Sequence, residues 1–309
     1  MNPLVSVIIP SYNHAEYLQE RINSVLHQSY TNFEVIILDD ASQDESKEII
    51  EQHNHNFQIV HQVFNIQNSG SPFLQWKKGI ELAQGKYIWI AESDDTCNLF
   101  FLETLTSILE NNSSLLAIYV DSERDIKNWT TTKFRPDCEL QIFEGSDFIK
   151  KNMLTSPIIV NASAVLFRKD AIKKDIFQFT SIYKTAFDWL FWCHILMQGK
   201  IGFYPYKLNF FRQHQQNTSL KSNLKGLFVT EGLHIIFYLK EAYGIQLNFT
   251  QIKTWASVWA QTSLLTNNIK NLFLKIVSTA WNVSPRIVLF YIYYLLKFKL
   301  ISNPNIKMK

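Results

Sequence analysis

The first 120 residues alternate between short apolar runs and stretches with helical spacing, and this alternation constrains the fold more than any other feature. The apolar runs are Leu4–Ile9, Phe33–Leu38, Tyr87–Ala91 and Leu115–Val120, and a further segment, Phe57–Val63, alternates like a strand. The helical stretches between them are Ala15–His27, Asp44–His53, Phe73–Ala83 and Leu99–Leu109. Strands that alternate with helices in this way form βαβ units and a mostly parallel sheet covered on both faces. The sequence therefore predicts an α/β fold whose ligands bind beyond the carboxyl ends of the strands.

The pattern changes twice further along the chain. Residues 122–157 are polar and irregular, after which Ile158–Phe167 predicts a strand and Phe187–Gln198 a helix. From about residue 221 the spacing is helical and rich in Leu, Ile, Phe and Tyr. We therefore expect two regions. Residues 1–220 form an α/β domain with a regular part over 1–120 and a less regular part over 121–220, and residues 221–309 form a basic, aromatic-rich helical extension.

Charge is distributed unevenly along the chain, although the formal net charge is only +3. Residues 1–150 contain 22 acidic and 10 basic side chains, whereas residues 151–309 contain 5 and 20. Residues 253–309 contain basic side chains and no acidic one. This segment is either a solvated face of a packed helical lobe or a surface for anionic lipid. Nucleic acid is not expected as a partner, because no nucleic-acid-binding motif accompanies the charge.

Composition and cysteine content restrict the class of protein and the cellular compartment that the sequence fits. A chain that is 47% hydrophobic and 18% charged is not disordered. Its three cysteines, Cys97, Cys138 and Cys193, have no C-x-x-C spacing, which fits a reducing compartment without a disulfide framework or zinc site. No signal peptide is recognisable at Met1. The longest uncharged apolar run, Ile287–Leu296, is about half of the ~20 residues that a membrane-spanning helix needs.

Polar motifs follow the first two predicted strands. Pro10-Ser11-Tyr12-Asn13 is either a strand-to-helix turn or one wall of a nucleoside pocket, with Tyr12 packed on a base. Asp39-Asp40 follows the second strand, and two adjacent carboxylates repel each other unless something binds there. Asp40 is suited to accept hydrogen bonds from a base edge or a ribose hydroxyl.

Glu92-Ser93-Asp94-Asp95 follows the fourth strand, which ends at Ala91. Solvated turn acids are one interpretation of this motif. The other is a divalent cation held by one or two carboxylates together with substrate phosphates, which is the environment that Mg²⁺ and Mn²⁺ prefer.

Taken in order, these motifs resemble a family 2 glycosyltransferase of the GT-A fold. The resemblance rests on residues 10–13, 39–42, 83–87 and 92–95 in their order and spacing, and it extends over about residues 3–220. It implies a Rossmann-like α/β domain, a nucleotide-diphosphate-sugar donor, Mg²⁺ or Mn²⁺, and transfer of a hexosyl group with inversion to a glycan or lipid-linked acceptor. It also implies an enzyme of bacterial surface polysaccharide assembly. The sparse cysteines predict a cytoplasmic location, and the basic tail predicts contact with the inner face of the cell membrane as the alternative to a packed lobe.

The resemblance also assigns roles to individual residues. The donor-binding residues that it implies are Pro10, Tyr12, Asn13, Asp39, Asp40, Lys77 and Asp94. Asp95 is implied as the metal ligand, and Phe211-Arg212-Gln213-His214 resembles the family's Arg-x-His element, which makes His214 a second ligand or a diphosphate contact. Arg212 either pairs with phosphate or packs structurally.

Asp188 matches the family's catalytic aspartate, near the start of the predicted helix Phe187–Gln198. Its alternative role is to complement the helix dipole. Its neighbours are apolar and aromatic, and desolvation there raises the pKa of a carboxyl group and makes it a better base. Two positions depart from the family pattern. Phe187 stands where relatives often have Glu, and Trp76-Lys77-Lys78-Gly79 replaces an Arg-Asn-x-Gly segment, which leaves Lys77 or Lys78 as the cation near the phosphates.

Three other functions are less consistent with the motifs. A nucleotidyltransferase has a Gly-rich, basic phosphate loop after its first strand, which Pro10–His14 lacks. A non-catalytic nucleotide-sugar-binding module needs neither Asp188 nor Asp95, yet both are present. A dinucleotide oxidoreductase needs a G-x-G-x-x-G motif, and none occurs. The first two remain the alternatives to a glycosyltransferase.

Overall fold

Four parallel strands from the N-terminal part of the chain form one half of a mixed sheet in the computed structural model. They are β1 (Val5–Ser11), β2 (Phe33–Asp39), β3 (Ile59–Phe64) and β4 (Tyr87–Ile90), in the order β3-β2-β1-β4. The connecting helices are α1 (Ala15–Leu26), α2 (Ser46–Glu51) and α3 (Pro72–Leu82). Every residue of β1, β2 and β4 is buried, as continuous apolar strands between two helical layers must be. The predicted α/β class is confirmed.

Antiparallel pairs occur in the other half of the sheet. Its elements are β5 (Thr96–Cys97), α4 (Phe101–Asn111), β6 (Leu115–Glu123), β7 (Gln141–Glu144), α5 (Gly145–Phe148), β8 (Val165–Arg168) and β9 (Lys200–Phe210). The order continues as β4-β8-β6-β9-β5, with β7 on β9, and β8 is antiparallel to both of its neighbours. The strand predicted from Ile158 begins only at Val165, because residues 162–164 form a 3₁₀ turn that is capped by the Asn161 side chain, which accepts from the Ser163 amide.

The structure describes residues 4–130, 139–214, 226–265 and 269–302, and these fall into two compact units. The first unit comprises residues 1–148, 159–182 and 191–213 and contains the whole sheet. The second comprises residues 149–158, 183–190 and 214–309. The boundary expected near residue 220 lies outside the described residues.

The second unit is helical. The helix α6 (Phe187–Leu196) begins in it, and α7 (Leu227–Tyr243), α8 (Phe249–Leu265), α9 (Ile269–Val283) and α10 (Pro285–Ser302) follow. Tyr291 of α10 stacks on Trp259 of α8, with ring centroids 3.9 Å apart. No helix in the described part of the chain is both long enough and apolar enough to cross a membrane.

Candidate active site

The loops that follow β1 and β2 interlock through backbone hydrogen bonds. The two strands are in parallel register, with Ser11 beside Asp39. The amide of Asn13 donates to Ser42 Oγ at 2.9 Å, and Asn13 Oδ1 accepts from the amide of Gln43 at 2.7 Å. The two predicted nucleoside motifs therefore lie side by side at the carboxyl edge of the sheet.

Two residues of these loops adopt left-handed backbone conformations. Asn13 has φ 54° and Ala41 has φ 61°. Asn tolerates this region, whereas a residue like Ala pays about 1–3 kcal/mol for such a conformation. Pro10 is buried beneath the loops, and Tyr12 is 44% exposed above them. The strained turns thus leave an aromatic ring accessible at the edge of the sheet.

Asp40 is held by donors from the segment before α3 and from α3 itself. Its Oδ1 accepts from Asn65 Nδ2 at 2.6 Å and from Gln75 Nε2 at 2.7 Å, and its Oδ2 accepts from the Ser69 hydroxyl at 2.7 Å. The Ser69 amide lies 3.0 and 3.1 Å from the two oxygens. Because a carboxylate has about four acceptor sites, these protein donors nearly saturate Asp40.

Asp39 has a different set of contacts, although it is equally buried at 3% exposure. Its Oδ2 accepts from the Ser42 amide at 3.0 Å, which closes the turn. Its Oδ1 has no hydrogen-bond partner among the described residues. A buried carboxylate oxygen without a donor is costly, so Asp39 is the member of the pair with capacity for a ligand donor.

The acidic turn Glu92–Asp95 follows β4 and is fixed by residues distant in the sequence. Glu92 Oε1 accepts from Trp76 Nε1 at 2.9 Å, and the Glu92 amide donates to Ser163 Oγ at 3.0 Å. Arg21, which is fully buried, donates from Nε to the Glu92 carbonyl at 2.9 Å. Burial raises the pKa of the Glu92 carboxyl to about 8, with further contributions from Asp94 and Asp95.

Asp95 lies beneath this turn and is 1% exposed. Its Oδ2 accepts from Asn161 Nδ2 at 2.8 Å and lies 3.9 Å from the Arg21 guanidinium, and its Oδ1 accepts from the Arg212 amide at 3.1 Å. Burial, followed by repulsion from Asp94, raises the pKa of Asp95 to about 6. Both oxygens of the residue predicted as the metal ligand are therefore engaged by the protein.

Asp94, which precedes Asp95 in the turn, is half-buried, whereas Asp95 is buried. Its carbonyl accepts from Arg212 Nε at 2.8 Å, which ties the turn to the end of β9. The neighbouring Ser93 hydroxyl is 2.7 Å from His14 Nδ1, which ties the turn to the loop after β1. The motifs after β1, β2 and β4 thus meet at one edge of the sheet, as the sequence predicted for parallel strands.

The two lysines of α3 are placed differently. The Lys77 residue is half-buried. Its Nζ lies 4.0 Å from Glu81 Oε1, one helical turn further along α3, in an ion pair that solvent reaches. Lys78 donates from Nζ to Asn65 Oδ1 at 2.7 Å, and Asn65 in turn donates to Asp40. Lys78 is therefore the lysine that the structure connects to the Asp40 network.

Asp188 lies in the first turn of α6, in the part of that helix that belongs to the second unit. Its Oδ1 accepts from the Trp189 amide at 2.8 Å. Burial raises the pKa of Asp188 to about 7, the Trp189 hydrogen bond acts in the opposite direction, and the charge of Glu231 raises it further. As expected from its aromatic neighbours, the carboxyl group titrates in the range suited to a general base.

Glu231 of α7 binds the residues that precede α6. Its carboxylate accepts from the amides of Lys184 at 2.9 Å, Thr185 at 3.0 Å and Ala186 at 2.9 Å. The Thr185 hydroxyl donates as well, at 3.0 Å. A carboxylate that receives the unpaired amides at a helix N-terminus complements the helix dipole. Glu231 thus fixes the start of the helix that carries Asp188.

His214 is the first residue of the second unit after the end of β9. It lies two residues beyond Arg212, whose amide is bonded to Asp95. Two peptide units span at most about 7 Å, so the chain itself keeps the His214 backbone near the Arg212 backbone.

The motifs contain none of the residues that hold Asp40, which are Asn65, Ser69 and Gln75, and they lack four further residues of these networks. Arg21, Asn161, Ser163 and Glu231 lie on helices or turns far from the motifs in sequence. A buried arginine on the apolar face of α1 is a signal that could have indicated an internal counter-charge, since full burial of Arg is rare without an acidic partner. Asn161 and Ser163 lie within the segment expected to be a strand.

The chain belongs to glycosyl transferase family 2, because the model of that family matches residues 6–175, more than half of the chain. Among curated relatives, the putative teichuronic acid biosynthesis glycosyltransferase TuaG of Bacillus subtilis is 42% identical over 93 residues. That match covers 30% of this chain and 36% of TuaG, so it spans about a third of the relative's length. The poly(ribitol-phosphate) beta-N-acetylglucosaminyltransferase TarP of Staphylococcus aureus is 31% identical over 202 residues, covering 63% of this chain and 58% of TarP.

Solved structures of similar fold include TarS 1–349 of S. aureus in complex with UDP-GlcNAc. It has a TM-score of 0.59 and 16% identity, and the match covers 96% of this chain and 91% of that one. The mannosyltransferase PcManGT of Pyrobaculum calidifontis, in complex with GDP-Man and Mn²⁺, has a TM-score of 0.55 and 14% identity, with 96% and 81% covered. These likenesses confirm the GT-A fold expected from the motifs.

Proposed function

We propose that this protein is an inverting glycosyltransferase that moves a hexosyl group from a nucleotide-diphosphate-sugar to an acceptor hydroxyl in the assembly of a bacterial surface glycan. The observation that carries the proposal is the acidic turn Glu92–Asp95, joined by hydrogen bonds to the loop after β1 and to the end of β9. Family membership and relatives such as TuaG and TarP support the substrate class.

The nucleoside binds between the loops after β1 and β2. Tyr12 offers an exposed ring for a base, and Pro10 and Asn13 shape the turn around it. Asp39 supplies a buried oxygen that lacks a donor, which a base or ribose donor would satisfy. Asp40, whose oxygens are occupied by protein donors, acts by holding the loop in place.

A divalent cation fits the acidic turn. Its carboxylates are hard oxygen donors within four residues of one another, and hydrogen bonds from distant residues fix Glu92 and Asp95 in the turn. We propose Asp94 and Asp95 as the residues that hold Mg²⁺ or Mn²⁺, with His214 as a further ligand and Lys77 or Lys78 near the phosphates. When bound, the cation offsets negative charge on the diphosphate leaving group.

Asp188 is the general base. In the ionised state it accepts the proton of the acceptor hydroxyl while the hydroxyl oxygen bonds to the anomeric carbon. The bond from that carbon to the diphosphate oxygen breaks in the same step, its electron pair leaves with the diphosphate, and the configuration inverts. A pKa of about 7 keeps a large fraction of Asp188 ionised near neutral pH while leaving it basic enough to take the proton.

Ligand binding and turnover test the two halves of this proposal separately. Thermal shifts with UDP, GDP, dTDP and CMP, each with and without Mn²⁺, should show stabilisation by one nucleotide that depends on the metal. No shift with any of them would contradict a nucleotide site. A shift without donor turnover, in the presence of a range of acceptors, would favour a non-catalytic module. Exchange of pyrophosphate into a nucleoside triphosphate would favour a nucleotidyltransferase.

Substitution of the base then tests the mechanism. Asp188→Asn should abolish transfer and leave the nucleotide-induced shift nearly intact, because Asn retains the acceptor oxygen but accepts no proton. The matched control is Asp170→Asn, an exposed carboxylate of the first unit, which should leave transfer unchanged. Transfer by Asp188→Asn at the wild-type rate would show that another group is the base.

We propose in addition that the basic C-terminal helices hold the enzyme at the inner face of the cell membrane. The absence of acidic residues over 253–309 supports this location, because anionic headgroups attract such a segment. A lipid-linked acceptor would then lie at the same surface as the enzyme.

A further inference from the structure

The last helix, α10, has apolar side chains on two opposite faces. Ile287, Val288 and Tyr291 are buried, and Tyr291 stacks on Trp259 of α8. A second set lies outside, with Leu289 63%, Ile292 49%, Tyr293 55% and Leu296 59% exposed. A helix that is apolar all round normally has an apolar environment on every side.

The four exposed residues form a continuous line, which we call the α10 stripe. Their spacing is i, i+3, i+4 and i+7, so at about 100° per residue they share one face of the helix about 100° wide. On the same geometry this face lies roughly opposite the one that contains Tyr291. The stripe is thus directed away from the packing against α8.

Basic residues flank the α10 stripe on both sides. Arg286, Lys297 and Lys299 are exposed. The helical geometry places Arg286 and Lys297 along one edge of the stripe and Lys299 along the other. An apolar line bordered by Lys and Arg is the arrangement of a helix that lies in a membrane interface, where the stems follow the apolar surface and the charges reach headgroup phosphates.

We infer that the α10 stripe is the face by which the protein lies on an anionic membrane surface. The inference rests on the membrane location proposed above and specifies its contact. A second copy of the chain is a poorer occupant. Two stripes packed against each other would bring six flanking cations together, and residues 253–309 contain no acid to offset them.

Vesicle flotation of the full chain tests the inference. The wild type should bind phosphatidylcholine vesicles that contain phosphatidylglycerol, and pure phosphatidylcholine far less, with binding that falls as salt increases. The stripe variant, Leu289→Ser/Ile292→Ser/Leu296→Ser, should lose binding by at least about tenfold. The matched control, Phe57→Ser/Ile66→Ser/Ile126→Ser, removes three exposed apolar side chains of the first unit and should bind like the wild type.

A second pair of variants tests the charges. Arg286→Gln/Lys297→Gln/Lys299→Gln should weaken binding by about a hundredfold, since each of the three basic residues near an anionic surface contributes about a factor of five. Its control, Lys127→Gln/Lys173→Gln/Lys174→Gln, makes the same change in net charge at exposed positions of the first unit. Equal losses in both would show that net charge, and not the stripe, directs binding.

The remaining outcomes separate this inference from the proposals that precede it. If the wild type does not bind anionic vesicles, the inference and the membrane location both fail, while nucleotide binding and transfer are unaffected. If the wild type binds and the stripe variant, folded by circular dichroism, binds equally, only the inference fails. If light scattering shows a dimer that the stripe variant converts to a monomer, and no vesicle binding occurs, the occupant is a second copy.

Discussion

Glu231 and Asp188 are two acids of the second unit whose roles differ although their charges repel. Glu231 receives four hydrogen bonds from Lys184, Thr185 and Ala186, directly before the helix that carries Asp188. Asp188 receives one, from the Trp189 amide. Burial is the largest cause of the raised pKa of Asp188. The negative charge of Glu231 raises the same pKa further.

Glu231→Gln should move the acid limb of the pH–rate profile to lower pH. The substitution removes the repelling charge and retains one acceptor oxygen for the backbone amides, so the pKa of Asp188 falls towards its ordinary value. The measurement is the pH dependence of kcat/KM for donor turnover. A profile that drops in height without moving along the pH axis would mean that Glu231 acts only as a structural anchor.

Asp188→Asn should change how stability depends on pH. The folded pKa of Asp188 is about 7 against an ordinary value of 3.8, so between these pH values the folded wild type keeps a proton that the unfolded chain has released. The free energy of unfolding contributed by this group therefore falls as pH rises through that window and is constant above it. The Tm of the wild type minus that of Asp188→Asn should decrease from about pH 4 to about pH 7. A difference that is independent of pH would contradict the raised pKa.

The strand–helix alternation was sufficient to predict the parallel half of the sheet, because fully buried strands are continuous apolar runs. It also placed the motifs after β1, β2 and β4 together, since parallel strands end at one edge. The antiparallel insertion of β8 between β4 and β6 was not predictable. The apolar sequence of Val165–Arg168 shows that the strand is buried, but it does not show in which direction the strand runs relative to its neighbours.

The site was only partly predictable for a related reason. Asp39 and Asp40 are adjacent in sequence and look equivalent. The segment from Asn65 to Gln75, however, supplies donors to Asp40 alone. Glu231 takes part through tertiary contacts that have no local sequence signature, and Arg21 is marked only by its position on the apolar face of α1. Local patterns indicate which strand ends carry chemistry, and they do not indicate which oxygen is already occupied.

Asp40→Ala should destabilise the fold. It would leave the buried donor of Gln75 and the half-buried donors of Asn65 and Ser69 without their acceptor, and a buried unsatisfied group costs about 1–3 kcal/mol. We expect a loss of about 3 kcal/mol or more in the free energy of unfolding, measured in urea. An Asp40→Ala protein with wild-type stability would show that this network contributes little.

Asp39→Asn should affect binding more than folding. If the Asn oxygen accepts from the Ser42 amide, the Asn NH₂ group takes the place of the Asp39 oxygen that has no partner. In the opposite orientation an oxygen remains at that place, but it is uncharged and a weaker acceptor. We expect nucleotide affinity to fall by about tenfold or more, since a hydrogen bond to a charged group is worth about 1.5–3 kcal/mol, with a smaller loss of stability than in Asp40→Ala. Calorimetric titration with the nucleotide identified by thermal shift measures this. Unchanged affinity would reassign the base contact away from Asp39.

Arg212 joins the end of β9 to the acidic turn by two contacts and to α1 by a third. Its amide donates to Asp95 Oδ1, its Nε donates to the Asp94 carbonyl, and its terminal nitrogen pairs with Glu20 at 2.6 Å. The guanidinium also lies over the Tyr17 ring, 4.9 Å from the centroid. Of the two roles considered for Arg212, pairing with phosphate or structural packing, these contacts favour the second.

Arg212→Lys should therefore weaken Mn²⁺ binding while the fold is retained. Lysine keeps the charge and the backbone amide but lacks the Nε donor, so the Asp94 carbonyl loses its side-chain partner and the turn is held less firmly. Residues that orient metal ligands typically change metal affinity by about 10–100-fold, and we expect a loss in that range by calorimetric titration of Mn²⁺ alone. Lys47→Gln, which removes one member of an exposed pair with Glu51, is the control and should leave the affinity unchanged. If Arg212→Lys weakens Mn²⁺ binding no more than this control does, the cation is held by a part of the chain other than the acidic turn.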